Sequence, residues 1–142
     1  MASSIDRQKT GLAGEFFVAA ELLKRGYQVA VTLGNAKSVD LMVHDESSGT
    51  TITVQVKTLR ARNYFDLEPS KVAEADIYAF VLLNEPGHPV EIFVVPGAEL
   101  DGDLVKFFGA THATSKRNGV SCKILEPYRD NWGAFVAGAP TK

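Results

Sequence analysis

Four side chains in the first half of the chain have the types and spacing of a metal-assisted hydrolytic site. Asp40 opens a short apolar run, VDLMV, and Gln55 and Lys57 close the next run, ITVQVK. Glu15 lies upstream, in GLAGEFFVAAELLKRG. A carboxylate in an apolar strand is desolvated, which is unfavourable unless a cation or hydrogen-bond donors compensate its charge. Asp40 therefore needs a partner, and a metal ion, a cationic side chain or hydrogen-bond donors would serve.

Such a group suits the hydrolysis of a phosphodiester. Mg²⁺ (or Mn²⁺) prefers hard oxygen ligands and keeps several waters, so one or two carboxylates and a carbonyl suffice as protein ligands. Asp40 is predicted to be the main ligand, with the side-chain oxygen of Gln55 beside it. The ion would acidify a water and neutralise charge on the phosphate. Lys57 is predicted to orient that water or to stabilise the pentavalent phosphorus, and Glu15 to hold a water of the ion or help a second ion bind.

Two strands and a turn must position three of these side chains. The residues from Ile52 to Lys57 alternate between apolar and polar, the period of a strand with two different faces. The run VDLMV is apolar apart from Asp40, which predicts a strand buried on both faces. The intervening DESSG has the polar, glycine-containing composition of a turn. A hairpin of these strands would bring Asp40 close to Gln55 and Lys57.

A helix predicted over residues 6–25 must position Glu15. Its apolar stripe, which we expect to face the body of the protein, consists of Leu12, Phe16, Ala19 and Leu23. Glu15 falls at the edge of this stripe, so it is predicted to point inward. Phe17 and Val18 lie off the stripe, which indicates burial on more than one side, for example by a second subunit.

The rest of the chain completes an α/β pattern. Strands are predicted at 27–33, 77–83, 90–95 and 120–125, and an extended segment is predicted at 64–67. Helices are predicted after Pro69 and over 97–108. A helix or turn is predicted at 128–136, with Trp132 and Phe135 as the residues that dock it on the body of the protein. The order of helices and strands predicts a mixed β-sheet flanked by helices. At 142 residues the chain is expected to form a single domain, residues 1–142.

Composition describes an ordinary globular protein, with 45% hydrophobic and 23% charged residues. A net charge of −2 does not indicate a protein coated in nucleic acid, but it leaves room for a local basic cleft. The single Cys122 excludes an internal disulfide and a multi-cysteine zinc site, and it suits the reducing cytoplasm. No run approaches the roughly 18 apolar residues of a membrane span, so no membrane partner is expected.

Two short basic stretches supply candidates for contacts with phosphates. They are Arg60, Arg62, Lys116 and Arg117. The alternative is that these charges belong to solvated loops.

Each candidate site residue also has a structural interpretation. Gln55 and Lys57 alone could form the solvated face of an edge strand. Asp40 could close a turn or join a salt bridge, and Glu15 could be a boundary residue paired to an arginine. The conjunction of all four on regular elements favours a rigid site.

The sequences around these residues resemble the PD-(D/E)XK nuclease superfamily, which includes Holliday-junction resolvases, many restriction enzymes and some homing endonucleases. The resemblance covers about residues 7–60, through GLAGEFFVAAELLKRG, SVDLMV and ITVQVKT. It implies a restriction-endonuclease-like fold with an αβββαβ core and Mg²⁺-dependent cleavage of DNA. It places Glu15, Asp40, Gln55 and Lys57 at the metal-binding and catalytic positions. It also implies a homodimer or higher homo-oligomer, because so small a chain has little room to embrace a duplex alone.

Two positions depart from the pattern of the superfamily. Val39 replaces the usual proline, and Gln55 replaces the usual Asp or Glu, which removes one negative charge from the metal site. Some active members carry Gln there, so the change is compatible with cleavage. The lost charge is expected to weaken metal affinity, so the alternative function is a catalytically silent module of this fold that binds nucleic acid or protein. An RNA-processing enzyme on a similar scaffold is a third possibility. If Gln55 is a ligand, replacing it with Glu is expected to tighten metal binding.

Overall fold

The computed structural model describes residues 4–32, 40–115 and 118–136. The strands are β1 (Gln28–Val31), β2 (Leu41–Asp45), β3 (Thr50–Leu59), β4 (Tyr64–Asp66), β5 (Ile77–Leu82), β6 (Glu91–Pro96) and β7 (Gly119–Ser121). The α-helices are α1 (Ser4–Lys24), α2 (Gly97–Gly102), α3 (Leu104–Phe108) and α4 (Cys122–Leu125). Short 3-10 helices span Pro69–Lys71, Glu126–Tyr128 and Trp132–Phe135. Five strands form one sheet in the order β1-β2-β3-β5-β6, and β4 pairs with β7.

The predicted hairpin of β2 and β3 is present. Asp45 organises its turn: its carboxylate accepts hydrogen bonds from Ser47 and Ser48, and its carbonyl accepts one from the N–H of Gly49 at 2.8 Å. Gly49 has a φ of 73°, a left-handed conformation in which a side chain is strained. This turn fixes the register, so that Leu41 pairs with Val54.

β3 is the central strand and extends beyond its antiparallel neighbour. β2 pairs with β3 only as far as Val54, whereas β5 runs parallel to β3 from Val54 to Leu59. Within the described residues, the second half of β3 therefore has a strand on one side only. Gln55 and Lys57 lie in this part of β3 and are both partly buried, so they do not form a fully solvated face.

Two hydrophobic cores lie on opposite faces of the sheet. The helix-side core packs α1 and the end of the chain against the sheet and includes Val18, Leu22, Val54, Val56, Ala79, Val94, Trp132 and Phe135. The second core includes Phe65, Leu67, Tyr78, Phe80, Phe93, Leu100, Phe107 and Leu125. Trp132 and Phe135 are buried, so their predicted docking role is confirmed.

The predicted apolar stripe of α1 is wrong for three of its four residues. Leu12, Phe16 and Leu23 are exposed, and only Ala19 is buried. Val18 and Leu22 face the sheet instead, together with Gly14. A side chain at position 14 would overlap the hydroxyl of Thr58, so the helix lies on β3 at its glycine side. A different apolar stripe, made of Val18, Ala19 and Leu22, therefore faces the sheet, and the close approach at Gly14 lies on the same side of the helix.

Other local predictions change in detail. The helix expected after Pro69 is a single 3-10 turn, and the last strand ends at Ser121, where Cys122 begins a short helix. β2 is buried on one face only, because Met42 is 43% exposed. Within the ranges that the structure describes, no helix is long and apolar enough to cross a membrane.

Candidate active site

Asp40 directly precedes β2 and is fixed to β3 by two hydrogen bonds. Its N–H donates to the carbonyl of Val54 at 3.0 Å, and its carboxylate Oδ2 accepts a hydrogen bond from the N–H of Val56 at 2.8 Å. Its own carbonyl accepts from the N–H and the hydroxyl of Thr32, both at 3.0 Å. The carboxylate therefore binds the residue between Gln55 and Lys57, which is the neighbourhood predicted from the hairpin.

Glu15 approaches Asp40 from α1. It is partly buried, as expected from its predicted inward direction. Burial raises the pKa of Glu15 from 4.5 to about 7, and the negative charge of Asp40 raises it as well. The two carboxylates are thus close enough to repel each other. Near neutral pH, Glu15 is poised between its protonated and ionised forms.

Gln55 lies on β3 with its amide turned toward the second core. Its Nε2 donates hydrogen bonds to Oδ2 of Asp76 at 2.9 Å and to the hydroxyl of Tyr78 at 3.2 Å. Thr53, one pleat earlier on the same face, donates its hydroxyl to the other oxygen of Asp76. The amide nitrogen of Gln55 is therefore occupied. Among the residues that the structure describes, no donor binds its amide oxygen.

Lys57 follows Gln55 on the same face and lies beside Phe80 of β5. It is partly buried, and among the described residues its ammonium has no ion pair. Within the same residues, no hydrogen bond or ion pair joins Gln55 or Lys57 to Glu15 or Asp40. Val54 and Val56 pack in the helix-side core, so Gln55 and Lys57 project from the face of β3 opposite to the one that α1 covers. The structure thus couples Glu15 to Asp40, and it joins Asp40 to β3 through the N–H of Val56, but it does not bring Glu15 into contact with Gln55 or Lys57.

The predicted phosphate-binding residues occupy different environments. Arg60 donates from Nε to the hydroxyl of Thr10 at 2.7 Å, which ties the end of β3 to α1. Arg62 instead forms ion pairs with Glu126 at 3.2 Å and Glu91 at 3.6 Å. Lys116 and Arg117 lie outside the described residues. The phosphate contacts of Arg60, Arg62, Lys116 and Arg117 therefore stay predictions.

The donor set of this segment fits a hard divalent cation. Burial and the neighbouring charge of Asp40 raise the pKa of Glu15, and a cation between the two carboxylates would compensate their charges. Within residues 4–32, 40–115 and 118–136, no three His, Cys, Asp or Glu side chains cluster as a metal site. A cation here would therefore need the oxygen of Gln55, a backbone carbonyl or water as further ligands, which is typical of Mg²⁺.

Sequence reasoning missed the partners of Gln55, namely Asp76 and Tyr78. Asp76 directly precedes β5, and its side chain reaches β3 only because the parallel register sets Ile77 opposite Val54. Nothing in the local sequence around Asp76 indicates this register. Only a correct pairing of β3 with β5 would have revealed the contact.

Comparison with known families decides the relationship of the chain. A family model described as PD-(D/E)XK endonuclease matches residues 5–76, just over half of the 142 residues. The chain belongs to the PD-(D/E)XK endonuclease family. The match includes all four candidate site residues, so the resemblance stated from the motifs is confirmed at the level of the family.

The fold of this PD-(D/E)XK protein is also that of a solved nuclease. The structure of a bacterial homing endonuclease, I-Ssp6803I, matches with a TM-score of 0.56 at 18% sequence identity. The match covers 94% of this chain and 91% of the homing endonuclease chain. The predicted restriction-endonuclease-like fold is therefore confirmed. No match was found among curated protein sequences.

Proposed function

We propose that this PD-(D/E)XK protein is a divalent-metal-dependent endonuclease that hydrolyses DNA phosphodiesters. The observation that carries the proposal is the pair of interacting carboxylates, Asp40 and Glu15, beside β3. Asp40 is held there by the N–H of Val56, between Gln55 and Lys57, and its charge acts on Glu15. Membership of the family supports the reaction class, and the two repelling carboxylates support the metal.

Each side chain has a role that follows from its chemistry. Asp40 and Glu15 would hold the ion through carboxylate oxygens, and Gln55 would add its amide oxygen. When bound, the ion supplies an acidified water and neutralises charge on the phosphate. Lys57 has an ammonium without a carboxylate partner among the described residues, so it can orient the nucleophile or stabilise negative charge that develops on the phosphate.

A cleavage assay tests the proposal. Supercoiled, branched and single-stranded DNA are incubated with the protein in Mg²⁺ or Mn²⁺. Asp40→Ala and Lys57→Ala are expected to lower the cleavage rate on the order of 100-fold or more. Asp66→Ala and Lys123→Ala remove exposed side chains elsewhere and should leave the rate unchanged. Cutting that persists in Asp40→Ala or Lys57→Ala would place the reaction at another site.

The alternative function is a nuclease-fold module that binds without cutting. Gln55 favours it, because an amide binds a cation less strongly than a carboxylate does. DNA binding by the wild-type protein without any cleavage, and with no heat of Mn²⁺ binding, would establish this alternative. Cleavage of RNA in place of DNA would instead identify an RNA-processing enzyme.

The assembly and compartment belong to the same proposal. We propose a homodimer or higher homo-oligomer acting in the cytoplasm. Phe16 and Leu23 of α1 are 52% and 55% exposed, which a second copy of the chain could cover. The free, buried Cys122 is compatible with a reducing compartment. Light scattering of the purified protein tests the assembly: a monomer at micromolar concentration would contradict it.

A further inference from the structure

The amide of Gln55 is held by its nitrogen end. Its Nε2 donates both of its hydrogen bonds, at 2.9 Å to Oδ2 of Asp76 and at 3.2 Å to the hydroxyl of Tyr78. An amide has two hydrogens on the nitrogen and only lone pairs on the oxygen. Whatever fixes the nitrogen therefore also fixes the direction of the oxygen.

Asp76 decides this orientation, and Tyr78 does not. The hydroxyl of Tyr78 could donate to an amide oxygen or accept from an amide nitrogen, so it tolerates either orientation of Gln55. The carboxylate of Asp76 can only accept. Rotating the amide by half a turn would place its oxygen against a carboxylate oxygen, which loses a charge-assisted hydrogen bond and adds repulsion.

Asp76 is itself well anchored. Its Oδ1 accepts the hydroxyl of Thr53. Its N–H donates to the carbonyl of Ala73 at 3.1 Å, and its carbonyl accepts the N–H of Gly97 at 2.7 Å. Gly97 packs so closely on this loop that a side chain there would overlap the carbonyl of Ala73. The carboxylate thus presents a fixed acceptor to Gln55.

We propose that Asp76 is a positioning residue that holds the amide nitrogen of Gln55, so that the amide oxygen is the end available to the metal ion. The metal part of this inference rests on the proposed function. It also explains the unusual residue of the motif. A Glu at position 55 would bring a second negative charge against Asp76, whereas Gln turns the same contact into a hydrogen bond. Gln55 and Asp76 therefore form a matched pair.

The first test uses the apoprotein and needs no activity. In ¹⁵N-labelled protein, the side-chain amide signals of Gln55 are identified by their loss in Gln55→Glu. We expect these two protons to exchange with water several-fold faster in Asp76→Ala than in the wild type. Asp66→Ala, the same change at an exposed aspartate, should leave the exchange unchanged. Equal exchange in wild type and Asp76→Ala would overturn the hydrogen-bonded role of Asp76.

The second test measures Mn²⁺ affinity by calorimetry. Loss of a residue that orients a ligand is expected to weaken affinity about tenfold in Asp76→Ala. Asp76→Asn should retain most of the affinity, because its side-chain oxygen can still accept from Nε2 of Gln55. Gln55→Glu alone should gain little, since the introduced carboxylate would meet that of Asp76. The double variant Gln55→Glu/Asp76→Asn should bind Mn²⁺ more tightly than either single variant. This expectation revises the sequence-based one, in which Gln55→Glu alone tightens binding.

The outcomes distinguish a failure of the positioning role of Asp76 from a failure of the proposed function. If the wild type binds Mn²⁺ and cuts DNA, and Asp76→Ala does both equally well, Asp76 has no positioning role and the proposed function stands. If the wild type neither binds Mn²⁺ nor cuts, the proposed function is overturned. Faster exchange of the Gln55 amide in Asp76→Ala would then still support the hydrogen bond between Gln55 and Asp76, because this bond does not depend on metal.

Discussion

Glu15 is the site residue whose chemistry depends most on its surroundings. Burial and the charge of Asp40 raise its pKa to about 7. A divalent cation must displace the proton of such a carboxylate, so binding of the cation is coupled to pH. At alkaline pH the same carboxylate is ionised beside Asp40 and destabilises the folded apoprotein.

Glu15→Gln should change how stability depends on pH. The folded pKa of about 7 lies above the usual 4.5, so the folded state holds this proton more tightly than the unfolded state. The stabilisation is complete below about pH 4.5 and is lost as the pH rises through 7. Relative to Glu15→Gln, the wild type should therefore lose about 1 kcal/mol between about pH 5 and about pH 8, a value reduced for solvent screening.

Urea unfolding at the two pH values measures this difference. Glu74→Gln, a change at an exposed glutamate, is the control and should follow the wild type. The same pH dependence in wild type and Glu15→Gln would show that Glu15 titrates as an ordinary surface carboxylate.

Some residues of the site could be predicted from the sequence, because polar or charged residues are unusual at their positions in the strands. A carboxylate in an apolar strand and a Gln-x-Lys at the end of the next strand make Asp40, Gln55 and Lys57 stand out in the sequence. Asp76 and Tyr78 have no such signal, because each is ordinary at the start of a strand. Their importance arises from the pairing of β3 with β5, which is a long-range property of the fold.

At the scale of elements, the seating of α1 on β3 sets the position of Glu15. Gly14 lies directly against Thr58, whose hydroxyl is buried without a hydrogen-bond partner among the described residues. A helix normally presents its apolar stripe to a sheet. Here the absence of a side chain at Gly14 allows the backbone to come closer, and this contact turns Leu12 and Phe16 toward solvent. A helical wheel compares only the hydrophobicity of side chains, so it does not predict a contact made through the backbone of a glycine.

Gly14→Ala should destabilise the fold and impair the site. Its methyl group would overlap the hydroxyl of Thr58, and such overpacking costs about 1 to 3 kcal/mol. Because α1 must move away from β3, Glu15 moves with it, and cleavage should fall as well. Thermal unfolding and plasmid cleavage are the measurements.

The chain contains its own control for this change. At Gly11, in the same helix, nothing lies within 4 Å of an added methyl group. Gly11→Ala should therefore be neutral or stabilise the protein by up to about 1 kcal/mol, since Ala favours helix. Equal stability of the two variants would mean that α1 is not seated through Gly14.

At the scale of the whole molecule, charge distribution matters more than the net charge of −2. Arg60 has no carboxylate partner within the described ranges, whereas Arg62 is paired with two glutamates. Those glutamates also bind Arg129, at 2.6 and 2.7 Å. Sequence alone groups Arg60 with Arg62, because the two are only two positions apart. The structure separates them by their ion pairs.

The salt dependence of DNA binding should distinguish these two arginines. Each phosphate contact releases about one counterion, so the slope of log K against log[salt] counts contacts. Arg60→Ala should reduce that slope by about one, because an uncompensated cation is lost. Arg62→Ala should change the slope less, since Glu91 and Glu126 already compensate its charge. Fluorescence anisotropy with a labelled duplex in EDTA measures both slopes. The KCl concentration is varied between 50 and 200 mM, about the range over which such contacts are resolved.

If the two substitutions reduce the slope equally, DNA breaks the ion pairs of Arg62 on binding, and the surface around Glu91 and Glu126 must be counted as part of the DNA interface. If Arg60→Ala leaves the slope unchanged, the duplex does not reach the end of β3, and the prediction that Arg60 contacts a phosphate is wrong.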